Sequence, residues 1–266
     1  MTEFLGGLFT PDPGVVDGIL ALSVLYVLSV WPLRRYLAPE QPFERWRAVL
    51  FFTGVLILVL AVATPMDEIG ETYLFSMHML QHVILIFFLP PFLILGLPNW
   101  LVDFLLRMEG LGPVLKFLIK PVVACVTFNA MLIIWHIPGF YEMALRDSFV
   151  HLLEHVGFVG SAILMYWPLI DPGTKQHQKA VHPGIKILYI LGVSIAQLPL
   201  FAALTFSTKV FYPTYAAAPR LESFPISPID DQILGGAIMK ISAVAYMFFG
   251  LAVYFYRWYW ADYRRK

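Results

Sequence analysis

The sequence predicts an all-α membrane protein, a bundle of seven transmembrane helices. Hydrophobic residues make up 59% of the 266 residues and charged residues only 14%, and the mean hydropathy is +0.73, which is unusual for a soluble domain. Seven segments have the run of roughly 20 apolar residues that a helix needs to cross a bilayer. The zero net charge gives no indication of a nucleic-acid partner, and the single cysteine, Cys125, excludes an internal disulfide or a paired-cysteine metal motif.

The predicted spans follow one another without a linker or a repeat, so residues 1–266 are expected to form one domain. The spans lie at about residues 15–32, 46–64, 73–95, 116–135, 149–170, 184–206 and 231–256. Pro90 and Pro91 remove backbone donors from the third span and are expected to kink or end it. Residues 99–108 are too short to cross and are predicted to form an interfacial helix. The N-terminus has no basic residue before its apolar segment, unlike a signal peptide, so the first span is expected to stay.

The distribution of lysine and arginine predicts which side of the membrane each loop faces. Fourteen of the 18 basic residues fall on one side. These are Arg34, Arg35, Arg45, Arg47, Arg107, Lys116, Lys120, Lys175, Lys179, Lys186, Arg257, Arg264, Arg265 and Lys266. The other side has only Arg146, Lys209 and Arg220, while Lys240 lies within the seventh span. The positive-inside rule therefore predicts an N-terminus outside the cell and a C-terminus in the cytoplasm.

Five of the seven histidines fall at the same predicted depth, in the outer part of the membrane. They are His78 and His82 at the start of the third span, His136 at the end of the fourth, and His151 and His155 at the start of the fifth. Residues four apart share a helix face, so each HxxxH pair presents two imidazoles in the same direction. Imidazole is a common metal ligand and is costly to leave unpaired in hydrocarbon. The pattern predicts that all five are ligands of a metal or cofactor, whereas His177 and His182 lie in an inner loop and need no such role.

Four other polar residues at this level are expected to support the site. They are Gln81 in the third span, Glu154 in the fifth, and Asp231 and Gln232 at the start of the seventh. A ligating histidine usually donates its second N–H to a carboxylate or amide, so these side chains are candidates for orienting the imidazoles or for binding the metal themselves. Asp230 and Asp231 fit a helix N-cap equally well. Gly235 and Gly236 are expected to let a neighbouring helix approach the seventh span closely.

The ligand types also predict which metal is bound. Methionine sulfur suits Cu(I), and Met239 is kept as a candidate ligand because it lies on the face of Gln232, about 10 Å deeper. Met77 and Met79 flank His78 and cannot share its face. Histidine with methionine and carboxylate, in the absence of a thiolate cluster, suits either copper, as Cu(I) or Cu(II), or zinc. The sequence has no nucleotide-binding glycine loop and no serine-hydrolase motif, which favours binding and transfer over catalysis.

Three ordered motifs resemble the polytopic CtaG family of bacterial cytochrome c oxidase assembly factors. They are "HMLQHVILIFFLPPFLILGLP" from residue 78, "WHIPGFYEMALRDSFVHLLEHVGFVGSAILMYWPLI" from residue 135, and "DQILGG" from residue 231. The resemblance covers about residues 15–256. It implies a non-enzymatic, multi-pass protein of the bacterial plasma membrane that helps build a heme-copper oxidase by handling copper on the extracytoplasmic side. It also implies oxidase subunits and other copper chaperones as partners, and carries site roles to the five histidines, Asp231 and Gln232.

Three other functions remain open at this stage. Seven-span zinc hydrolases also gather histidines and an aspartate around a zinc-bound water, although with one HxxxH rather than two. Histidines from different spans can ligate a heme axially, or contact a quinone. A structural scaffold could bond its histidines to one another and to water. The aromatic-rich spans are compatible with a homodimer as well as with the surrounding lipid.

Overall fold

In the computed structural model the chain is helical, and residues 13–173 and 181–263 are described. The helices are α1 (Pro13–Leu37), α2 (Arg45–Val62), α3 (Pro65–Thr72), α4 (Phe75–Gly96), α5 (Asn99–Arg107), α6 (Leu111–Leu118), α7 (Pro121–Trp135), α8 (Pro138–Arg146), α9 (Ser148–Ile170), α10 (Pro183–Phe206), α11 (Pro213–Ala217) and α12 (Pro228–Tyr263). No strand occurs within these ranges. The predicted all-α class is confirmed.

Membrane crossing is supported by the length and composition of the helices. Six are long and apolar enough to span a bilayer, and α6 with α7 gives a seventh if the two are counted as one broken span. The outer faces of these helices are apolar, with Leu56, Val126 and Phe248 each more than half exposed, as expected for side chains in contact with lipid. Some residues used to predict orientation lie outside the described residues, as does one inner-loop histidine: Lys175, His177, Lys179, Arg264, Arg265 and Lys266.

The predicted fourth span, residues 116–135, is broken near its start. Helix α6 ends at Leu118, and α7 begins at Pro121 after a bend of 80°. Proline disfavours helical geometry in the preceding residue, and Lys120 is accordingly extended, with φ −61° and ψ 134°. The 15 residues of α7 rise about 22 Å, less than the bilayer core of about 30 Å. His136 follows directly at the C-terminal end of this short helix.

Helix α4 does not end at Pro90 and Pro91 but continues to Gly96. A π-helical turn at Ile84–Phe88 comes immediately before the prolines and adjusts the backbone where their N–H groups are missing. The carbonyl of Phe87, four residues before Pro91, accepts a hydrogen bond from the Tyr166 hydroxyl at 2.9 Å. A side chain of α9 thus supplies a donor that the proline cannot, and the span remains continuous.

The start of α4 is held against α12, as expected from the paired glycines. A Cβ at Gly235 would lie 2.5 Å from the ring of Phe75 and 3.1 Å from Met79, so only glycine allows this approach. A Cβ at Gly236 would lie 2.7 Å from the Thr205 hydroxyl of α10. These close contacts place the first turns of α4 in the protein interior, where its histidines lie.

Candidate metal centre

The structure brings the five predicted histidines together. His78 and His82 come from the first two turns of α4, His151 and His155 from those of α9, and His136 from the end of α7. The two rings of each HxxxH pair lie next to each other along their helix, with centroids 4.3 Å apart on α4 and 4.2 Å apart on α9. Between the helices, His82 lies 5.7 Å from His155 and 6.2 Å from His136. All five residues are buried.

The innermost group consists of His78, His82 and Glu154. One ligand atom from each lies within 4.8 Å of the others, and the residues are 0%, 1% and 1% exposed. His82 Nε2 is 3.8 Å from Glu154 Oε1, which is too long for a hydrogen bond. Neither ring nitrogen of either histidine, and neither oxygen of Glu154, has a hydrogen-bond partner among the described residues. Glu154 therefore lies directly among the candidate ligands.

Unpartnered polar atoms are expensive in a protein interior. Each buried donor or acceptor left unsatisfied costs about 1–3 kcal/mol, and more when it carries a charge. Six such atoms belong to this one group of residues, and a bound cation would satisfy them. A tetrahedral metal with bonds of about 2.0–2.1 Å holds its ligands about 3.3 Å apart, so rotamer adjustments of roughly 1 Å would close this group around an ion. The donor set fits a metal in type, number and spacing.

A second group lies one turn nearer the start of α9. His151 Nδ1 is 2.8 Å from Glu71 Oε1, and ligand atoms of Asp67, Glu71 and His151 lie within 4.8 Å of one another. Both acids are partly exposed. Burial, with Glu71 nearby, raises the pKa of Asp67 from 3.8 to about 6. This group connects the buried histidines to the protein surface.

Gln81 contributes to the second group rather than contacting a histidine. Its side-chain nitrogen donates to the carbonyl oxygen of Ala61 at 3.0 Å and to the carboxylate of Asp67. The amide thus fixes α4 to the end of α2 and to α3. The residue was expected to orient the imidazoles of its own helix, and its hydrogen bonds are directed to the neighbouring elements instead.

Asp231 and Gln232 brace the surrounding backbone. The Asp231 carboxylate accepts hydrogen bonds from the N–H groups of Phe75 at 2.7 Å and Ser76 at 3.2 Å, so it caps the N-terminus of α4 from α12. Gln232 accepts from Phe211 N–H at 2.7 Å and donates to the carbonyl of Lys209 at 3.1 Å. Their hydrogen bonds are made to backbone and not to the imidazoles they were expected to orient. The N-cap interpretation of Asp231 holds, but the capped helix is α4 and not its own.

His136 differs from the other four histidines because both of its ring nitrogens have a neighbour. Nδ1 is 2.7 Å from the carbonyl oxygen of Leu132, and Nε2 is 3.4 Å from the sulfur of Met79. Met79 points away from the face of His78, as expected, and towards α7. Met239 is buried and lines a cavity of about 10 Å³ together with His82. That volume is room for about one water molecule, not for a porphyrin.

Sequence reasoning missed three contributors to this region. Glu71 and Asp67 lie on α3, whose Thr64 N-cap and following Pro65 are a helix-start signal in the sequence. Tyr141 is 1% exposed, and its ring centroid is 5.3 Å from that of His78. Its hydroxyl is 2.9 Å from that of Tyr215, which in turn donates to a backbone carbonyl of α3. Aromatic side chains between the spans thus cover the histidine cluster.

Residues 24–261 match the family model of the cytochrome c oxidase caa3 assembly factors, Caa3_CtaG. Among curated proteins, the chain is 28% identical to uncharacterised proteins of Mycobacterium bovis and Mycobacterium tuberculosis over 80% of its own length and 34% of theirs. It is 24% identical to an uncharacterised protein of Mycobacterium leprae over 88% of its length and 39% of the relative's. The chain therefore spans little more than a third of the length of these relatives. No solved structure matches.

Proposed function

The chain belongs to the family of cytochrome c oxidase caa3 assembly factors, and we propose that it serves oxidase assembly by binding copper in its buried histidine cluster. The residues that would hold the ion are His78, His82 and Glu154, with His155 and His136 beside them. In this proposal the protein is a carrier that passes copper to a heme-copper oxidase subunit, directly or through another copper chaperone. It has no catalytic role of its own.

One observation carries the proposal, the group of buried donor atoms without partners. Both nitrogens of His78 and His82 and both oxygens of Glu154 lack a hydrogen bond among the described residues. A histidine cluster that served only as scaffold would be expected to satisfy its own atoms. Imidazole nitrogen and carboxylate oxygen suit Cu(II), and the nearby thioether sulfurs suit Cu(I). The donor set therefore favours copper.

The proposed location is the extracytoplasmic side of the bacterial plasma membrane. The histidines lie at the starts of α4 and α9 and at the end of α7, which the positive-inside rule assigns to the outer side. The partly exposed group of Asp67, Glu71 and His151 lies on that side of the buried donors. In the proposal, this group is where the cation first meets the protein.

The experiment is copper analysis of the full chain purified in detergent, loaded separately with Cu(I) and Cu(II). We expect stoichiometric copper in the wild type, and its loss in His82→Asn. The matched control is His182→Asn, because His182 is exposed and its Nδ1 accepts from Gly184 N–H at 3.1 Å, a capping role that asparagine can take. In cells, His82→Asn should remain in the membrane while caa3-type oxidase activity falls. An absence of copper in both oxidation states, or normal oxidase in that variant, would refute the proposal.

A zinc hydrolase is the second candidate, because two histidines and one glutamate are a known ligand set of catalytic zinc. Access to the site argues against it. The three residues are at most 1% exposed, whereas a hydrolytic zinc needs an open position for water and substrate. Zinc that copurifies in stoichiometric amount, and that copper does not displace, would favour the hydrolase. A Soret band in the visible spectrum would instead indicate heme.

A further inference from the structure

The contact between His136 and Met79 has an unusual electronic arrangement. A carbonyl oxygen can only accept a hydrogen bond, so the 2.7 Å contact with Leu132 requires Nδ1 of His136 to carry a proton. In the neutral ring Nε2 is then unprotonated, and its lone pair is directed to the Met79 sulfur at 3.4 Å. A thioether has no proton to donate. Two lone pairs therefore face each other in the protein interior with no hydrogen between them.

A methionine of α7 shows the contrast. The sulfur of Met131 accepts a hydrogen bond from the indole N–H of Trp135 at 3.0 Å, so its lone pair has a donor. Met79 is 0% exposed, and the described contacts give its sulfur no polar neighbour other than the unprotonated His136 ring nitrogen. The His136 nitrogen and the Met79 sulfur thus have the arrangement of two donor atoms that could bind one cation.

We infer that His136 Nε2 and Met79 Sδ form a soft-metal site selective for Cu(I), distinct from the nitrogen and oxygen donors of His78 and Glu154. Thioether sulfur is a ligand that favours Cu(I) over harder cations. With metal–nitrogen and metal–sulfur bonds of about 2.0 and 2.3 Å, the 3.4 Å edge subtends about 105° at the metal. That angle is close to tetrahedral, so the spacing of the two donor atoms fits an ion. The ion would lie off the line that joins them, and the imidazole would turn towards it.

The surroundings of the pair supply candidates for a further donor. The ring centroid of His82 is 6.2 Å from that of His136. His82 also lines the cavity of about 10 Å³ that contacts both Leu132 and Met239. Met239 is 4% exposed and adds a second buried thioether beside this cavity. His82 therefore lies between a soft donor pair and the carboxylate Glu154, so the two groups could hold copper in its two oxidation states.

This inference rests on the proposed copper-binding function, and X-ray absorption at the copper edge tests it. The full chain is loaded with Cu(I) under anaerobic conditions and, separately, with Cu(II). We expect a sulfur shell at about 2.3 Å with Cu(I) in the wild type and in Met131→Leu. Met79→Leu should lose that shell and bind Cu(I) more weakly, while its binding of Cu(II) is unchanged.

The outcomes separate the two proposals. Copper bound by nitrogen and oxygen alone, or a sulfur shell that survives Met79→Leu, would overturn the soft site and leave the copper-binding function intact. If neither Cu(I) nor Cu(II) binds, both the soft site and the copper-binding function are refuted. If Met79→Leu does not accumulate, the wild type labelled with selenomethionine provides the second measurement. The Cu(I) spectrum should then show a selenium shell, and its absence would equally overturn the site.

Discussion

The two ends of the spans differ in whether their buried polar side chains have hydrogen-bond partners. At the end away from the histidines, Arg47 of α2 is 8% exposed and donates to the carbonyls of Leu95 and Leu97 at 3.1 and 2.7 Å and to the Asn99 side chain at 3.0 Å. Lys186 of α10 donates to the carbonyl of Leu169 at 2.7 Å. These cations have partners at the C-terminal ends of α4 and α9, where the helix dipole favours positive charge.

At the other ends of the same two helices, His78, His82 and Glu154 have no such partners among the described residues. The paired end is explained by structure alone, since its cations satisfy helix carbonyls. The unpaired end is not, because each unpartnered buried atom costs free energy, and the proposed copper ion would recover that cost. Burial by itself is thus a poor guide to function, and the absence of partners among buried polar atoms is the better one.

The largest expected effect is the loss of copper from His82→Leu with little loss of stability. Leucine removes two unpartnered nitrogens and fills similar volume, so the metal-free variant should unfold at a temperature equal to or above that of the wild type. Copper content and the thermal midpoint in detergent, measured on the same sample, provide the check. A lower thermal midpoint in a variant that still binds copper would show that the imidazole is structural.

Arg47→Met should have the opposite effect. Methionine keeps much of the volume but removes the donors to Leu95, Leu97 and Asn99. These acceptors are then left without a partner, as is the glutamate at position 44. We expect a loss of about 3–5 kcal/mol in the free energy of unfolding, with copper per folded molecule unchanged. Lys240→Met, which removes a cation for which no hydrogen bond is described, is the control and should cost less.

Copper itself should stabilise the wild type. A ligand that binds only the folded state adds about 2.7 kcal/mol when its free concentration is 100 times its Kd. The thermal midpoint should therefore rise with copper and fall again when a chelator is added. His82→Leu should show no such rise, and a similar rise in both proteins would place the copper at another site.

The spans and most of the histidine cluster could be derived from the sequence. The spans follow from apolar runs, and the meeting of His78, His82, His151 and His155 follows from the four-residue spacing at equal depth. Features that depend on distant contacts could not be derived in this way. Tyr166 supports the backbone before Pro91, which the sequence suggested would interrupt the helix.

The cap on α4 illustrates the same limit. Asp231 and Phe75 are 156 positions apart, and an aspartate near a helix start is normally taken to cap its own helix. In the structure, Ser227 bonds Asp230 at the start of α12, which leaves Asp231 for the neighbouring helix. His136 likewise differs from the other histidines through the contacts of its ring with one carbonyl and one sulfur. No spacing rule gives the positions of these two atoms.

Asp231→Ala is expected to have a moderate effect. It leaves the N–H groups of Phe75 and Ser76 without an acceptor, which should cost about 1–2 kcal/mol and weaken copper binding because the turn that carries His78 loses its anchor. Copper stoichiometry at saturation should be unchanged. Asp230→Ala, at an exposed position, is the matched control, and an equal loss in both variants would contradict the capping role.

The smallest expected effect concerns Asp67, at the partly exposed border of the histidine end. Its pKa in the folded protein, about 6 against an ordinary value of 3.8, lies above that in the unfolded chain, so the folded state favours the protonated carboxyl. Stability is then lost as the pH rises from about 4 to 6, and the deficit persists above that range. Asp67→Asn should therefore raise the free energy of unfolding at pH 8 by about 1 kcal/mol after allowance for solvent screening, seen as a higher thermal midpoint, and should have no effect at pH 4. Glu68→Gln, on the exposed side of the same helix, should change neither value, and an equal gain from Asp67→Asn at both pH values would show that ionisation is not the cause.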